Sequence, residues 1–399
     1  MKLQRHRFRI IVLVSLALLC ALGVFWVLRS FRPSASLATV SNDRLNVLKS
    51  EVIPGQITDR AGSVLAATQD GQRIYPDPAE RRASLVHLLG ESSGLIPGGV
   101  ETLHAADLYG ARPNLAEAIG RLIRKEQRHG YDLRLTVSAD LCEMILRSAA
   151  SHPETANRAL CAVVMNYSTG EILAMSSLPT FDPSGITPEK AESLRAAADQ
   201  PLLNRVTEGA YPLGTLEKVF PVPVVAPGRS LSVFRDLVTS ETEASQVTPL
   251  RLCLMTCAVA ADGEMPEPRL IENVKTAAGA VVVPWSKASL GRCYTSEQAA
   301  AVRETMKAAV NEGSAAALYD PVLDLHALTG SSGREEEDGT VSDFSWCTGF
   351  NGQNDFPCAV CVLVEEKQDG GNEKNPAALI AKDLFNWMKA HPQLIGGKE

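Results

Sequence analysis

The sequence predicts an α+β fold, and three observations carry that prediction. Residues 159–177 read as a β-hairpin, with apolar Leu160 to Met165, the turn residues Asn166-Tyr-Ser-Thr-Gly170, and an apolar return to Ser176. Residues 344–350 and 357–365 read as two more antiparallel strands. Residues 247–261, 296–310 and 377–390 place apolar side chains at helical spacing.

Bulk composition agrees with a folded body. The 399 residues are 45% hydrophobic and 21% charged, enough for one large domain or two modest ones. The formal net charge is −7. The first 33 residues hold Lys2, Arg5, Arg7, Arg9, Arg29 and Arg32 and no acid, so the remainder carries −7 − 6 = −13. An acidic body argues against a general nucleic-acid binder.

Residues 10–28 form a charge-free apolar run of 19 residues. At 1.5 Å per residue it spans roughly 28 Å, close to a bilayer core. Its basic N-terminal flank predicts a cytoplasmic tail at 1–9, a single-pass signal-anchor, and the rest of the chain outside the cytoplasmic membrane. A cleaved signal peptide fits less well, because the run exceeds the usual h-region and no small-x-small site follows it closely. Cys20 falls within the run, and eight cysteines follow. Cys253 and Cys257 are one helical turn apart; Cys358 and Cys361 lie three apart in a strand. Neither pair has neighbouring histidines, so the reading is buried free thiols and no metal site, which suits a reducing or anaerobic habitat better than a disulfide scaffold.

The remaining elements follow in order. A polar linker fills 30–50. Residues 56–58 and 63–67 read as strands joined by a turn at Asp59-Arg60-Ala61-Gly62. Helices are predicted over 80–89 and 114–128, then a strand over 131–137. Ser138 or Asp140 caps a helix over 141–151. The acidic run 335–338 reads as a solvated loop tip.

The most informative segment is 211–220, Tyr-Pro-Leu-Gly-Thr-Leu-Glu-Lys-Val-Phe. It resembles the Tyr-x-Pro-Gly-Ser-Thr-Phe-Lys segment of penicillin-binding proteins, with Thr215 at the nucleophilic serine and Lys218 at the lysine. The hairpin with Pro179-Thr-Phe-Asp-Pro183, the segment 53–66, and Val247-Thr-Pro-Leu250 resemble further signatures of the class B members. The resemblance runs from about Ile53 to Ala390. It implies a membrane anchor, a non-catalytic N-terminal module over 29–155, and a transpeptidase-like domain over 156–399 with an antiparallel sheet of about five strands flanked by helices.

Three departures bear on chemistry. Threonine replaces serine at 215, and its methyl stiffens the side chain and crowds the oxygen; Thr215 reads either as a helix cap or as a residual nucleophile. Pro221, Pro223 and Pro227 limit the following helix to two turns at most. The family's Lys-Thr-Gly-Thr strand is Leu328-Thr329-Gly330-Ser331, so an apolar side chain stands where a cation orients the substrate; Ser331 still offers an amide for an oxyanion hole. No Ser-x-Asn triplet exists in the chain, Ser240-Glu-Thr242 being the nearest look-alike. Only 28 residues separate Lys218 from Val247, which reads as a lobe shortened between 219 and 246. Ser331, Ser332 and His326 read as structural.

The resemblance therefore implies a membrane-anchored penicillin-binding protein homologue in cell-wall synthesis, catalytically degenerate, and acting as a scaffold or regulator beside a polytopic glycan polymerase. The rivals are an active D,D-transpeptidase or carboxypeptidase using Thr215 and Lys218 on D-Ala-D-Ala stem peptides, and a module that binds stem peptides or β-lactams without cleaving them. No cofactor is expected.

Overall fold

The computed structural model describes residues 52–110, 128–220, 246–283, 286–335, 341–366 and 375–395. The expected anchor at 10–28, residues 114–127 of the helix expected at 114–128, residues 336–338 of the acidic run 335–338, and residues 221–245 of the stretch read as shortened between 219 and 246 lie outside the described residues. Arg128 and Glu335 are described and stand in the strands Arg128–His129 and Leu325–Glu335, not in a helix and a loop tip. Among the described residues no helix is long and apolar enough to cross a membrane.

Five antiparallel strands form the central sheet, in the order Leu325–Glu335, Val341–Asn351, Cys358–Glu366, Leu160–Asn166 and Ile172–Leu178. The predicted hairpin supplies one end. Every residue of Leu160–Asn166 is buried, which is why it reads as an unbroken apolar run rather than an alternating one. Its turn is locally encoded. The Asn166 Oδ1 accepts the amides of Ser168 and Thr169 at 2.9 and 3.1 Å. Gly170 has φ +78°, and a Cβ there would stand 2.1 Å from the Glu267 carbonyl oxygen.

Side-chain caps start several of the helices. Ser138 accepts from the Leu141 amide and begins Ala139–Ser151, deciding for Ser138 over Asp140. Thr248 caps Pro249–Ala260, Thr295 and Gln298 form a capping box on Ser296–Glu312, and Asn375 caps Pro376–Ala390. Pro249–Ala260 is buried along nearly its whole length and joins the sheet through a 2.7 Å hydrogen bond between the Thr256 and Thr348 hydroxyls. Pro376–Ala390 is tied to Ala139–Ser151 by Asp383, which accepts from Ser148 at 2.7 Å and lies 2.8 Å from His152. Pro188–Ala196 is a helix that periodicity does not announce, because it buries only Ala191.

A second, six-stranded sheet runs Val281–Val283, Ile271–Lys275, Asp132–Leu135, Ile57–Thr58, Val64–Gln69, Gln72–Ile74. Its strands come from both sides of residue 155. The turn at 59–62 is drawn in by Asp59, whose Oδ1 accepts from Ala61 and Ser63 and whose Oδ2 accepts from Ala139 at the start of a helix. All eight described cysteines are free and buried, as expected of thiols acting as small core hydrophobes.

Candidate active site

The strand Leu325–Glu335 is the outer edge of the central sheet, and the segment carrying Thr215 lies against it. Tyr211–Pro212 pairs with Gln246–Val247 and leads into a 3₁₀ helix, Gly214–Lys218. Thus the short helix anticipated from Pro221 is a single tight turn over the described residues. In 3₁₀ geometry side chains three apart eclipse, so Thr215 and Lys218 share a side.

Glycines at 214 and 330 allow this close approach. Gly214 has φ +56°, and a Cβ on it would sit 2.2 Å from the Ser331 carbonyl oxygen. A Cβ on Gly330 would meet Leu216 Cγ at 2.6 Å and Thr215 Oγ1 at 2.9 Å. Buried Leu216 anchors the turn. The Trp346 indole N–H donates to the Pro212 carbonyl at 2.9 Å and stands 3.3 Å from Ser332 Oγ.

The Thr215 hydroxyl accepts a 3.2 Å hydrogen bond from the Ser331 amide. The cap reading of Thr215 is therefore corrected. Thr215 lies inside the turn, Leu213 occupies the cap position without a side-chain bond, and the hydroxyl reaches across to the strand instead. Two of the singled-out groups, the residue 215 oxygen and the residue 331 amide, come together.

The others do not join them. Lys218 is exposed, with no hydrogen bond or ion pair among the described residues. Leu328 is buried in the core. The Thr329 hydroxyl donates to the Ser314 carbonyl at 3.0 Å, away from Thr215. Ser332 packs beneath Gly214 and accepts from Trp346. His326 stacks on Phe350 with 4.8 Å between centroids, and its Nδ1 lies 3.0 Å from the Arg303 carbonyl, a structural role as read. Ser240 and Thr242 lie outside the described residues.

Two supports were not legible in sequence. The Asn375 amide nitrogen lies 3.3 Å from the carbonyls of both Gly330 and Trp346, bracing the strand behind Thr215. An Asn-Pro pair signals only the helix start. Tyr211 donates to Glu365 at 3.2 Å, and Glu365 also takes the Arg205 guanidinium at 2.8 Å. Burial, with the acidic groups of Cys161 and Glu365 nearby, pushes the Tyr211 phenol far up, so it acts as a fixed neutral donor. Among the described residues no group of His, Cys, Asp and Glu side chains is placed to hold a metal ion.

Comparison with known proteins gives a consistent family. Residues 230–386 match the penicillin-binding protein transpeptidase domain, a match that includes the edge strand and begins after Lys218. The chain is 35% identical over 112 residues to the peptidoglycan D,D-transpeptidase MrdA of Acinetobacter baumannii, covering 27% of this chain and 15% of that one. It is 28% identical over 163 residues to stage V sporulation protein D of Bacillus subtilis, covering 36% and 22%. The matches thus span less than a quarter of either relative's length. Among solved structures, penicillin-binding protein A of M. tuberculosis, as an imipenem acyl-enzyme complex, superposes with a TM-score of 0.67 at 18% identity over 85% of this chain and 99% of that one. The D,D-transpeptidase domain of a peptidoglycan glycosyltransferase from Eggerthella lenta gives 0.63 at 20% identity over 86% and 99%. At these identities the superpositions establish the fold alone. Taken with the sheet order and the hairpin signature, these findings support a class B penicillin-binding-protein-type transpeptidase fold, carried by the domain matched at residues 230–386.

Proposed function

We propose that this chain is a catalytically silent penicillin-binding protein homologue that serves peptidoglycan synthesis as a scaffold or regulator, held at the outer face of the cytoplasmic membrane by residues 10–28. The observation that carries the reading is the company of the Thr215 hydroxyl: one backbone amide from Ser331 and, among the described residues, no cation hydrogen-bonded to it. An alcohol needs a base in hydrogen-bond reach to attack a carbonyl. Lys218 is exposed and unengaged, and position 328 offers a buried leucine. Groups that act as one catalytic unit lose most of their rate when any one is missing. A polytopic glycan polymerase is the partner implied by the family resemblance.

Residual acylation is the second reading, supported by the retained contact between Thr215 and the Ser331 amide. Incubation of the full chain in membranes with a fluorescent penicillin separates the two. The silent reading expects no covalent label above a heat-denatured control. A label on the native chain that disappears in Thr215→Ala would overturn it. Reversible retention of stem peptides without a covalent adduct would favour a binding module.

A further inference from the structure

A polar cavity of about 940 Å³ lies between the end of helix Ala139–Ser151, the segment leading to Tyr211, and the end of the central sheet marked by Leu178, Arg334, Ser342 and Glu365. Its size is that of a ligand pocket for several non-hydrogen groups rather than a few waters. Three guanidinium groups line it, from Arg158, Arg205 and Arg334, with the carboxylates of Asp199, Glu208 and Glu365.

These six groups are not equally engaged. Arg205 is closed off: its Nε bonds Glu365 at 2.8 Å, and its two terminal nitrogens bond the carbonyls of Gln200 and Asp199 at 3.2 and 3.1 Å. Glu365 is doubly used, taking Arg205 and Tyr211 on one oxygen. Arg334 donates to the Ala210 carbonyl and lies over the Phe344 ring. Arg158 differs. Its Nη1 is shut away from solvent and has no acceptor among the described residues. That nitrogen is out of a ligand's reach, but the residue is half-exposed at the cavity wall and its side chain makes no hydrogen bond or ion pair among the described residues, so the accessible part of the fork is open to an incoming carboxylate, its matching shape. The acidic side is also underused. Glu208 accepts only a long 3.4 Å bond from the Asn204 amide, and the Asp199 side chain is exposed and makes no bond among the described residues.

A wall with a spare guanidinium and spare carboxylates matches a ligand carrying both charges. We infer that this cavity is a binding site for a short zwitterionic peptide, with its carboxylate on Arg158 and its amine at Asp199 and Glu208. The site is separate from the Thr215 centre and holds whether or not Thr215 can be acylated.

The test is equilibrium dialysis of the full-length chain in detergent against a pool of randomised tetrapeptides with free termini, built from L- and D-amino acids, with retained peptides counted by mass spectrometry. The expected result is at least tenfold greater retention of the free pool than of a C-amidated pool, lost in Arg158→Gln and partly kept in Arg158→Lys. Asp199→Asn with Glu208→Gln, at exposed positions where folding is not at stake, should erase the preference for free over N-acetylated peptides. No retention of the free pool, retention unchanged in Arg158→Gln, or retention abolished by Thr215→Ala each overturns the assignment.

Discussion

Gly330 meets the threonine turn from below, and its missing side chain sets how close Thr215 sits to the Ser331 amide. Substituting alanine places a methyl 2.6 Å from Leu216 Cγ and 2.9 Å from Thr215 Oγ1, inside contact distance. Overpacking of this kind costs about 1–3 kcal/mol, and Gly330→Ala should lower stability by that amount in urea denaturation. Gly214→Ala should cost more, because it adds a left-handed backbone strain to a 2.2 Å clash with the Ser331 carbonyl. At Thr215 itself, Thr215→Ser removes the crowding methyl yet supplies no base. The variant is expected to stay unlabelled by fluorescent penicillin, and labelling would show that the methyl alone silences the centre. The sequence made the identities at 215, 218 and 328–331 plain. It did not show that Thr215 bonds to Ser331, since that contact joins residues 116 apart.

Among the elements, Pro376–Ala390 matters most to the site because its cap does two jobs. Asn375 accepts the Ala378 amide at 3.1 Å and lies 3.3 Å from two strand carbonyls. Asn375→Ala removes the cap and both braces, and is expected to destabilise the chain by about 1–2 kcal/mol, read from chemical denaturation. Asn375→Asp keeps the cap acceptor but not the donor, so it should recover only the cap's share. Elements with local signals were readable in advance: the hairpin from its turn residues, the helix Ala139–Ser151 from Ser138, and Pro249–Ala260 and Ser296–Glu312 from apolar residues at helical spacing. Pro188–Ala196 escaped notice because a single buried alanine leaves no apolar stripe. Ile271–Lys275 escaped for a related reason: only Val274 in it is buried, and one of its two partner strands, Asp132–Leu135, lies more than a hundred residues away.

At the scale of the whole molecule, burial sets the response to pH. His87 is enclosed near Phe181, its Nε2 lies 2.8 Å from the Pro201 carbonyl, and burial, aided by the charge of Arg205, brings its pKa down to about 4. The unfolded imidazole titrates near 6.5. As pH falls, the unfolded chain takes up this proton first, so stability should decline from about pH 6.5 and level off below about pH 4. The loss is on the order of 3 kcal/mol. Urea midpoints between pH 7.5 and 4.5 should show it, and His87→Gln should flatten the curve in that window. Asp182, held down to about 2 by Arg82, acts only below the ordinary carboxylate range and leaves the window clear. Burial also pushes the Cys142 and Cys347 thiols up to about 12. Of the chain's nine cysteines, no more than one should react with Ellman's reagent before denaturant is added.

Because Asp132–Leu135 is zipped to Ile271–Lys275 on one side and Ile57–Thr58 on the other, scissors applied at residue 155 would not free two self-sufficient pieces. Each fragment would leave with a bare, hydrogen-bond-hungry rim. Recombinant versions starting at 156 should clump, whereas the two fragments made in one cell should find each other and refold as a pair.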